Sequence, residues 1–64
     1  MSEAWPTIDE QIACVDRELG YREHVYARRV AEEKMTQALA DRELLRMMAV
    51  RATLLIVKGN RGSA

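Results

Sequence analysis

The chain has 64 residues, and its ten basic and ten acidic side chains leave no formal net charge at neutral pH. A domain this short has a small core, so it usually depends on a disulfide, a metal ion or self-association for stability. The single cysteine, Cys14, excludes an intrachain disulfide and a cysteine-rich zinc site, which leaves self-association. The balanced charge excludes a strong overall attraction to nucleic acid or to an anionic membrane.

An N-terminal arm is predicted over residues 1–7, followed by a first helix over about 8–32. Trp5-Pro6 favours an extended approach to this helix, and Thr7 with Glu10 has the pattern of a capping box. Apolar residues then recur at steps of three, four or seven, at Ile8, Ile12, Val15, Leu19 and Tyr26. This spacing predicts a helix that packs along its whole length against another helix.

A second helix is predicted over 37–58. Thr36 is a favourable N-cap for this helix, and Gly59 is typical of the residue that follows a helix end. Residues 33–36 then form the turn, and residues 59–64 form a flexible tail. Since no proline or glycine marks the turn, one long continuous helix is the alternative.

Charge is divided unevenly between the two halves of the chain. Residues 1–33 carry eight acidic and four basic side chains, whereas residues 34–64 carry two acidic and six basic ones. A short turn makes two helices antiparallel neighbours, so the acidic start of the first helix lies beside the basic end of the second. The facing residues are expected to be Arg51 and Lys58 on one side and Asp9, Glu10 and Asp16 on the other. The predicted fold is all-α, an antiparallel two-helix hairpin.

The second helix carries more apolar surface than one partner helix can cover. Its apolar residues form two stripes, the first of Leu44, Met47, Met48, Leu54 and Leu55 and the second of Leu45, Ala49, Ala52 and Ile56. A hairpin needs only one buried face on each helix, so the second stripe indicates contact with another subunit or another protein. We therefore expect the hairpin to dimerise into a four-helix bundle.

Candidate catalytic and metal-binding residues are few. Cys14 and His24 are the residues best suited to such chemistry, but ten residues of helix separate them by about 15 Å. They cannot share a metal ion or form a nucleophile and base pair, and Cys14 is expected to act as a small buried apolar residue. The sequence thus predicts no metal, no cofactor and no enzymatic activity.

The sequence also argues against nucleic acid and membranes as partners. The basic clusters, Arg28-Arg29 and the group of Arg42, Arg46 and Arg51, are interrupted by acidic residues and have no interleaved aromatic residues for base stacking. The longest apolar run, Leu54 to Val57, is too short to span a membrane. No signal-peptide pattern opens the chain, so the expected localisation is the cytoplasm.

Five residues are candidates for contact with a protein partner, namely Trp5, Tyr21, Arg22, Leu45 and Ile56. Aromatic and arginine side chains dominate the energetics of protein interfaces. Trp5 has two interpretations, a lid over the open end of the hairpin or an exposed interface anchor. Arg22 stands in the apolar seam, where it either contacts a partner or pairs with Glu18 one turn earlier.

Four stretches of the chain resemble a group of small proteins that tailed phages and prophages of proteobacteria encode. The stretches run from Gln11 to Leu19, Arg22 to Ala31, Lys34 to Gln37 and Ala40 to Leu44, within a resemblance that spans roughly Ile8 to Leu55. That group commonly reads Tyr-Pro-Arg-Trp-Val where this chain has Tyr26 to Val30. It also has a glycine before the turn where this chain has Glu33-Lys34. The resemblance implies a phage context and the host bacterial cytoplasm, and it supplies no catalytic residues.

The expected function is that of a small phage accessory protein that binds and modulates a host protein, such as a defence or regulatory factor. A rigid helical surface suits this role because it loses little conformational freedom on binding. Two alternatives remain open at this stage. One is a nucleic-acid-associated phage regulator acting through Arg28, Arg29, Arg42 and Arg46, and the other is a structural assembly component.

Overall fold

Two helices, α1 (Ile8–Ala31) and α2 (Gln37–Gly62), make up most of the computed structural model. It describes residues 4–62, with the last two described by their backbone alone. The helices lie antiparallel, and the described residues contain no strand. The predicted all-α hairpin is therefore confirmed. With a thickness of 13 Å against a length of 48 Å, the molecule is a single layer of two helices.

The capping box forms at the start of α1 as the sequence predicts. The Thr7 hydroxyl accepts a hydrogen bond from the Glu10 backbone N–H, and the Glu10 carboxylate accepts one from the Thr7 N–H, both at 3.1 Å. Thr7 is extended, with φ −68° and ψ 163°. The box bonds backbone N–H groups that a helix start otherwise leaves unpaired, and it ends the N-terminal arm at Thr7.

A turn with left-handed backbone separates the two helices. Glu33 has a φ of 59°, and no other non-glycine residue in the described part of the chain has positive φ. The Glu33 N–H donates to the Val30 carbonyl at 3.0 Å and the Lys34 N–H donates to the Arg29 carbonyl at 2.8 Å. This paired pattern is the Schellman motif, which ends a helix and redirects the chain. One continuous helix is thus excluded.

Helix α2 begins where the sequence predicts but ends later. The Thr36 hydroxyl accepts a hydrogen bond from the Leu39 N–H at 3.1 Å, which confirms Thr36 as the N-cap. The predicted end at Lys58, with a flexible tail over 59–64, needs correction because the helix continues to Gly62. Gly59 keeps a helical φ rather than the left-handed one of a C-terminal cap, which a glycine can do at about 1 kcal/mol. Residues 63 and 64 lie outside the described residues.

The core between the helices is small. In the described part of the chain only Ile12, Leu19 and Ala40 are buried. Half-buried apolar side chains extend this contact along both helices, namely Ile8, Val15 and Tyr26 on α1 and Leu44, Met47 and Leu54 on α2. The seam predicted for α1 is therefore the surface that faces α2.

The predicted inner stripe of α2 requires a correction. Met48 and Leu55 belong to that stripe in the sequence analysis, but they are 54% and 41% exposed. Each follows an inner residue, Met47 or Leu54, so each lies about 100° further round the helix and points away from α1. The surface that α2 leaves uncovered is therefore wider than the sequence predicts.

Two ion pairs join the helices in the register that the charge distribution predicts. Lys58 Nζ lies 2.7 Å from Asp9 Oδ1, and the Arg51 guanidinium pairs with the Asp16 carboxylate. Asp9 and Asp16 are seven positions apart on α1, and their partners Lys58 and Arg51 are seven positions apart on α2 in the opposite order, as antiparallel packing requires. All four side chains are substantially exposed, so each pair contributes at most about 1 kcal/mol and favours this register over others.

Glu33→Gly is expected to stabilise the hairpin by roughly 0.5–1 kcal/mol, because the left-handed conformation costs a residue with a Cβ about that much more than it costs glycine. Urea denaturation at fixed protein concentration measures the change. Glu32→Gly is the control, since Glu32 has a φ of −86° and gains nothing from glycine. Equal destabilisation by both substitutions would contradict the left-handed turn.

Exchanging the charges of one ion pair tests the register. Asp16→Arg or Arg51→Asp alone should destabilise the fold, and the double variant should recover roughly 0.2–1 kcal/mol, less at high salt. The matched control combines Asp16→Arg with Arg46→Asp, because Arg46 pairs with Glu43 on its own helix. Coupling that is the same in both double-mutant cycles, or absent from both, would contradict a specific pairing of Asp16 with Arg51.

Candidate protein-binding surfaces

Helix α2 exposes large apolar side chains around most of its circumference. Six of them are at least 39% exposed, namely Leu45, Met48, Val50, Leu55, Ile56 and Val57. A surface helix normally has one apolar stripe and a polar back, whereas a helix that is apolar all round is normally buried. The exposed part of α2 therefore has the composition of an interface.

One set of exposed residues forms a continuous line, which we call the α2 seam. It consists of Leu45, Met48, Ala49, Ala52, Leu55, Ile56 and Gly59, all of which are exposed. Because these residues recur at steps of three and four, they share one face of the helix. At about 100° per residue this face lies roughly 130° round α2 from the line that contacts α1. It contains Leu45 and Ile56, two of the predicted contact residues.

A second apolar surface lies between the helices at the end far from the turn, and we call it the open-end groove. It has a volume of about 480 Å³ and is lined by Pro6, Glu10, Gln11, Cys14, Val15, Val50 and Leu54. Its polar side chains are already engaged, since the Gln11 amide donates to the Pro6 carbonyl at 3.0 Å and Glu10 takes part in the capping box. The groove therefore offers apolar area rather than free polar groups.

Trp5 precedes the groove residue Pro6 and is 87% exposed. A lid over the hairpin would bury much of its indole ring against α1 and α2, so the lid interpretation is wrong. Cys14 also departs from expectation, because it is exposed on the groove wall rather than buried. It lies outside the line of Ile12, Val15 and Leu19 that faces α2, and burial on α1 is confined to that line.

Tyr21 and Arg22 are neighbours in sequence but have different surroundings. Tyr21 is 66% exposed, whereas Arg22 is half-buried and bonds the Glu18 carboxylate at 2.7 Å. The Tyr26 hydroxyl raises the pKa of Arg22 above its ordinary value, partial desolvation opposes this, and Glu18 adds to it. The sequence allowed Arg22 either to contact a partner or to pair with Glu18 one turn earlier. The structure contains the pairing with Glu18.

A basic depression lies on α1 close to the turn. It has a volume of about 680 Å³ and is lined by Tyr21, Val25, Arg28, Arg29, Glu32 and Lys34. The position of Tyr21 beside these arginines was not predicted, although the steps from Tyr21 to Val25 and from Val25 to Arg28 are helical steps of four and three. Glu32 lies 3.8 Å from Lys34 and offsets part of the positive charge.

Within the described residues, no group of three or more histidine, cysteine or acidic side chains has a geometry that could hold a metal ion. Neither helix, over that same part of the chain, has the length and apolar character of a membrane span. Comparison of the chain with protein-family models, with curated proteins and with solved structures finds no match. The geometry of the seam, the groove and the basic depression is therefore the basis for the function proposed below.

Because Cys14 is exposed, we expect iodoacetamide to alkylate it in the folded protein at a rate close to that in denaturant. Mass spectrometry of quenched time points measures both rates. A matched control carries Cys14→Ser with Ala40→Cys, which moves the thiol to a position that is 2% exposed and should protect it in the folded state. Alkylation of Cys14 only after denaturation would place it in a buried position instead.

Proposed function

We propose that the chain is a small phage accessory protein that binds and modulates a host protein through the open-end groove and Trp5. The observation that carries the proposal is an almost fully exposed tryptophan next to an apolar groove whose polar side chains already have partners. Tryptophan is the side chain most enriched among the energetically dominant residues of protein interfaces. Its exposure is costly for an isolated domain and useful for one that binds another protein.

The shape of the groove favours an amphipathic helix of the host protein as the occupant. Both helices contribute to its floor, with Val15 on α1 and with Val50 and Leu54 on α2. A third helix laid over the line between two antiparallel helices packs as in a helical bundle. Trp5 extends the apolar contact beyond the end of the groove, where it can cover the side of the bound helix.

The resemblance to phage and prophage proteins implies the phage context, and the host protein is proposed as the partner because a rigid apolar helical surface suits protein binding. A defence or regulatory factor is the class of host protein that the proposal favours. The capped hairpin provides a binding surface that is ordered before contact, so association costs less conformational entropy than it does for a disordered segment. Tyr21, and Arg22 with its intrahelical partner Glu18, lie on α1 beyond the groove and are candidates for the edge of the same interface.

A host protein that binds the tagged chain is first captured from a bacterial lysate, identified and purified. Its binding then tests the groove. Trp5→Ala should weaken its binding by about 2 kcal/mol, roughly thirtyfold, as truncation of an interface anchor does. Val50→Glu and alkylation of Cys14 should also weaken binding, because both obstruct the groove. Titration calorimetry measures affinity, and circular dichroism checks that helicity is unchanged.

Ala13→Glu is the matched control, because Ala13 is exposed on α1 but does not line the groove. It should bind the host protein as the unchanged chain does. Full affinity of both Trp5→Ala and Val50→Glu would contradict the groove as the binding surface. Loss of affinity that accompanies loss of helicity would also count against a direct role for these side chains.

A nucleic-acid-associated regulator is the second candidate, and the exposed Tyr21 in the basic depression favours it. Aromatic and basic side chains together bind single-stranded nucleic acid, and such binding weakens steeply with salt. Since Glu32 offsets part of this charge, we expect no tight binding of labelled oligonucleotides at physiological ionic strength by fluorescence anisotropy. Tight, salt-sensitive binding that Arg28→Gln abolishes would reverse the order of the two candidates.

A further inference from the structure

We infer that α2 pairs antiparallel with α2 of a second copy of this chain, about a two-fold axis that passes beside Ala52. The pairing uses the α2 seam, which lies on a different side of α2 from the open-end groove. It is therefore independent of the proposed host interaction. The two hairpins form a four-helix assembly with the two α2 helices at its centre.

The spacing of the seam is that of helices that pack along their length. Leu45, Met48, Ala52, Leu55 and Gly59 follow one another at steps of three, four, three and four, the pattern of the a and d positions in a coiled coil. Ala49 and Ile56 widen the same face. The seam runs over two heptads of α2, so a partner helix can remain in contact along that length.

Two pairs of seam residues are complementary in size about Ala52, whereas Met48 and Ile56, four residues to either side, are both large. Leu45 and Gly59 lie seven residues to either side of it, so antiparallel pairing places the large side chain of one copy opposite the glycine of the other. Ala49 and Leu55 lie three residues to either side of Ala52, so the leucine of one copy likewise lies opposite the small alanine of the other. Ala52 meets its own copy at the axis, where two methyl groups allow the helices to approach closely.

Parallel pairing lacks this complementarity. It would place Leu45 opposite Leu45 and Gly59 opposite Gly59, which crowds one end of the interface and leaves a gap at the other. It would also bring Arg42, exposed beside the seam, close to its own copy. In the antiparallel arrangement Arg42 instead lies beside the last turn of the partner's α2, where the helix dipole favours a positive charge.

A second copy also matches the amount of surface left uncovered. The chain exposes 5305 Å², about 1,100 Å² more than the roughly 4,200 Å² expected of a compact protein of this mass. A standard interface covers about 800 Å² of each partner. A seam that is complementary to itself about one axis is the requirement for a closed two-fold dimer, and a different protein would not impose it.

Disulfide trapping in a Cys14→Ser background tests both the pairing and its direction. Ala52→Cys should form a disulfide-linked dimer under mild oxidation, since the two copies of this residue meet at the axis. Leu45→Cys alone should not, because antiparallel pairing separates its two copies by about 21 Å along the helices, far beyond disulfide reach. A mixture of Leu45→Cys and Gly59→Cys chains should form the mixed disulfide, and Gly59 has open space for the added side chain.

Light scattering gives a second readout without cysteines. The unchanged chain should have twice its monomer mass of 7.3 kDa at micromolar concentration. Ala52→Glu or Leu45→Glu should lower that mass, whereas Ala13→Glu, on the exposed side of α1, should not. Efficient self-linking of Leu45→Cys would overturn the antiparallel direction, and a helical 7.3 kDa monomer of the unchanged chain would overturn the pairing itself.

Discussion

Two helices packed side by side can bury only one line of side chains each, and the rest of this structure depends on that limit. Helix α1 has little more apolar surface than its inner line, whereas α2 is apolar on most sides. The result is a core in which only Ile12, Leu19 and Ala40 are buried among the described residues. Polar interactions add to this small core, namely two helix caps, one Schellman turn and two ion pairs between the helices.

The exposed apolar residues of α2 form two separate surfaces. The α2 seam and the open-end groove lie on different sides of the helix, so a partner on one surface does not cover the other. Each partner that binds the folded chain also stabilises it, because binding removes folded molecules from the equilibrium with unfolded ones. Pairing through the seam would thus hold α2 in place for the groove, which takes Val50 and Leu54 from the same helix.

The turn contains an unfavourable backbone conformation that the antiparallel packing of the two helices requires. Glu33 is left-handed although its Cβ disfavours that conformation, and the reversal it produces brings Asp9 and Asp16 to Lys58 and Arg51. Since two ion pairs and the apolar contact between the helices offset the cost, glutamate at this position still permits the hairpin.

The sequence by itself determined whatever depends on residues a few positions apart. Thr7 and Thr36 start the helices because their hydroxyls reach N–H groups in the following turn. The apolar spacing of α1 admits a single buried face, and the opposite charges of the two halves select the antiparallel register. The surfaces that carry the proposed function, by contrast, depend on which side of each helix faces its neighbour.

Only the tertiary structure decided that question for α2. Because α2 has apolar residues on most of its sides, its sequence pattern allows several inner faces. Contact with α1 selected the line through Leu44, Met47 and Leu54. Met48 and Leu55 were thereby left outside, as part of the exposed α2 seam. The exposure of Trp5 and Cys14 was decided in the same way, because burial depends on what packs against a side chain, and neither residue lies on the line between the helices.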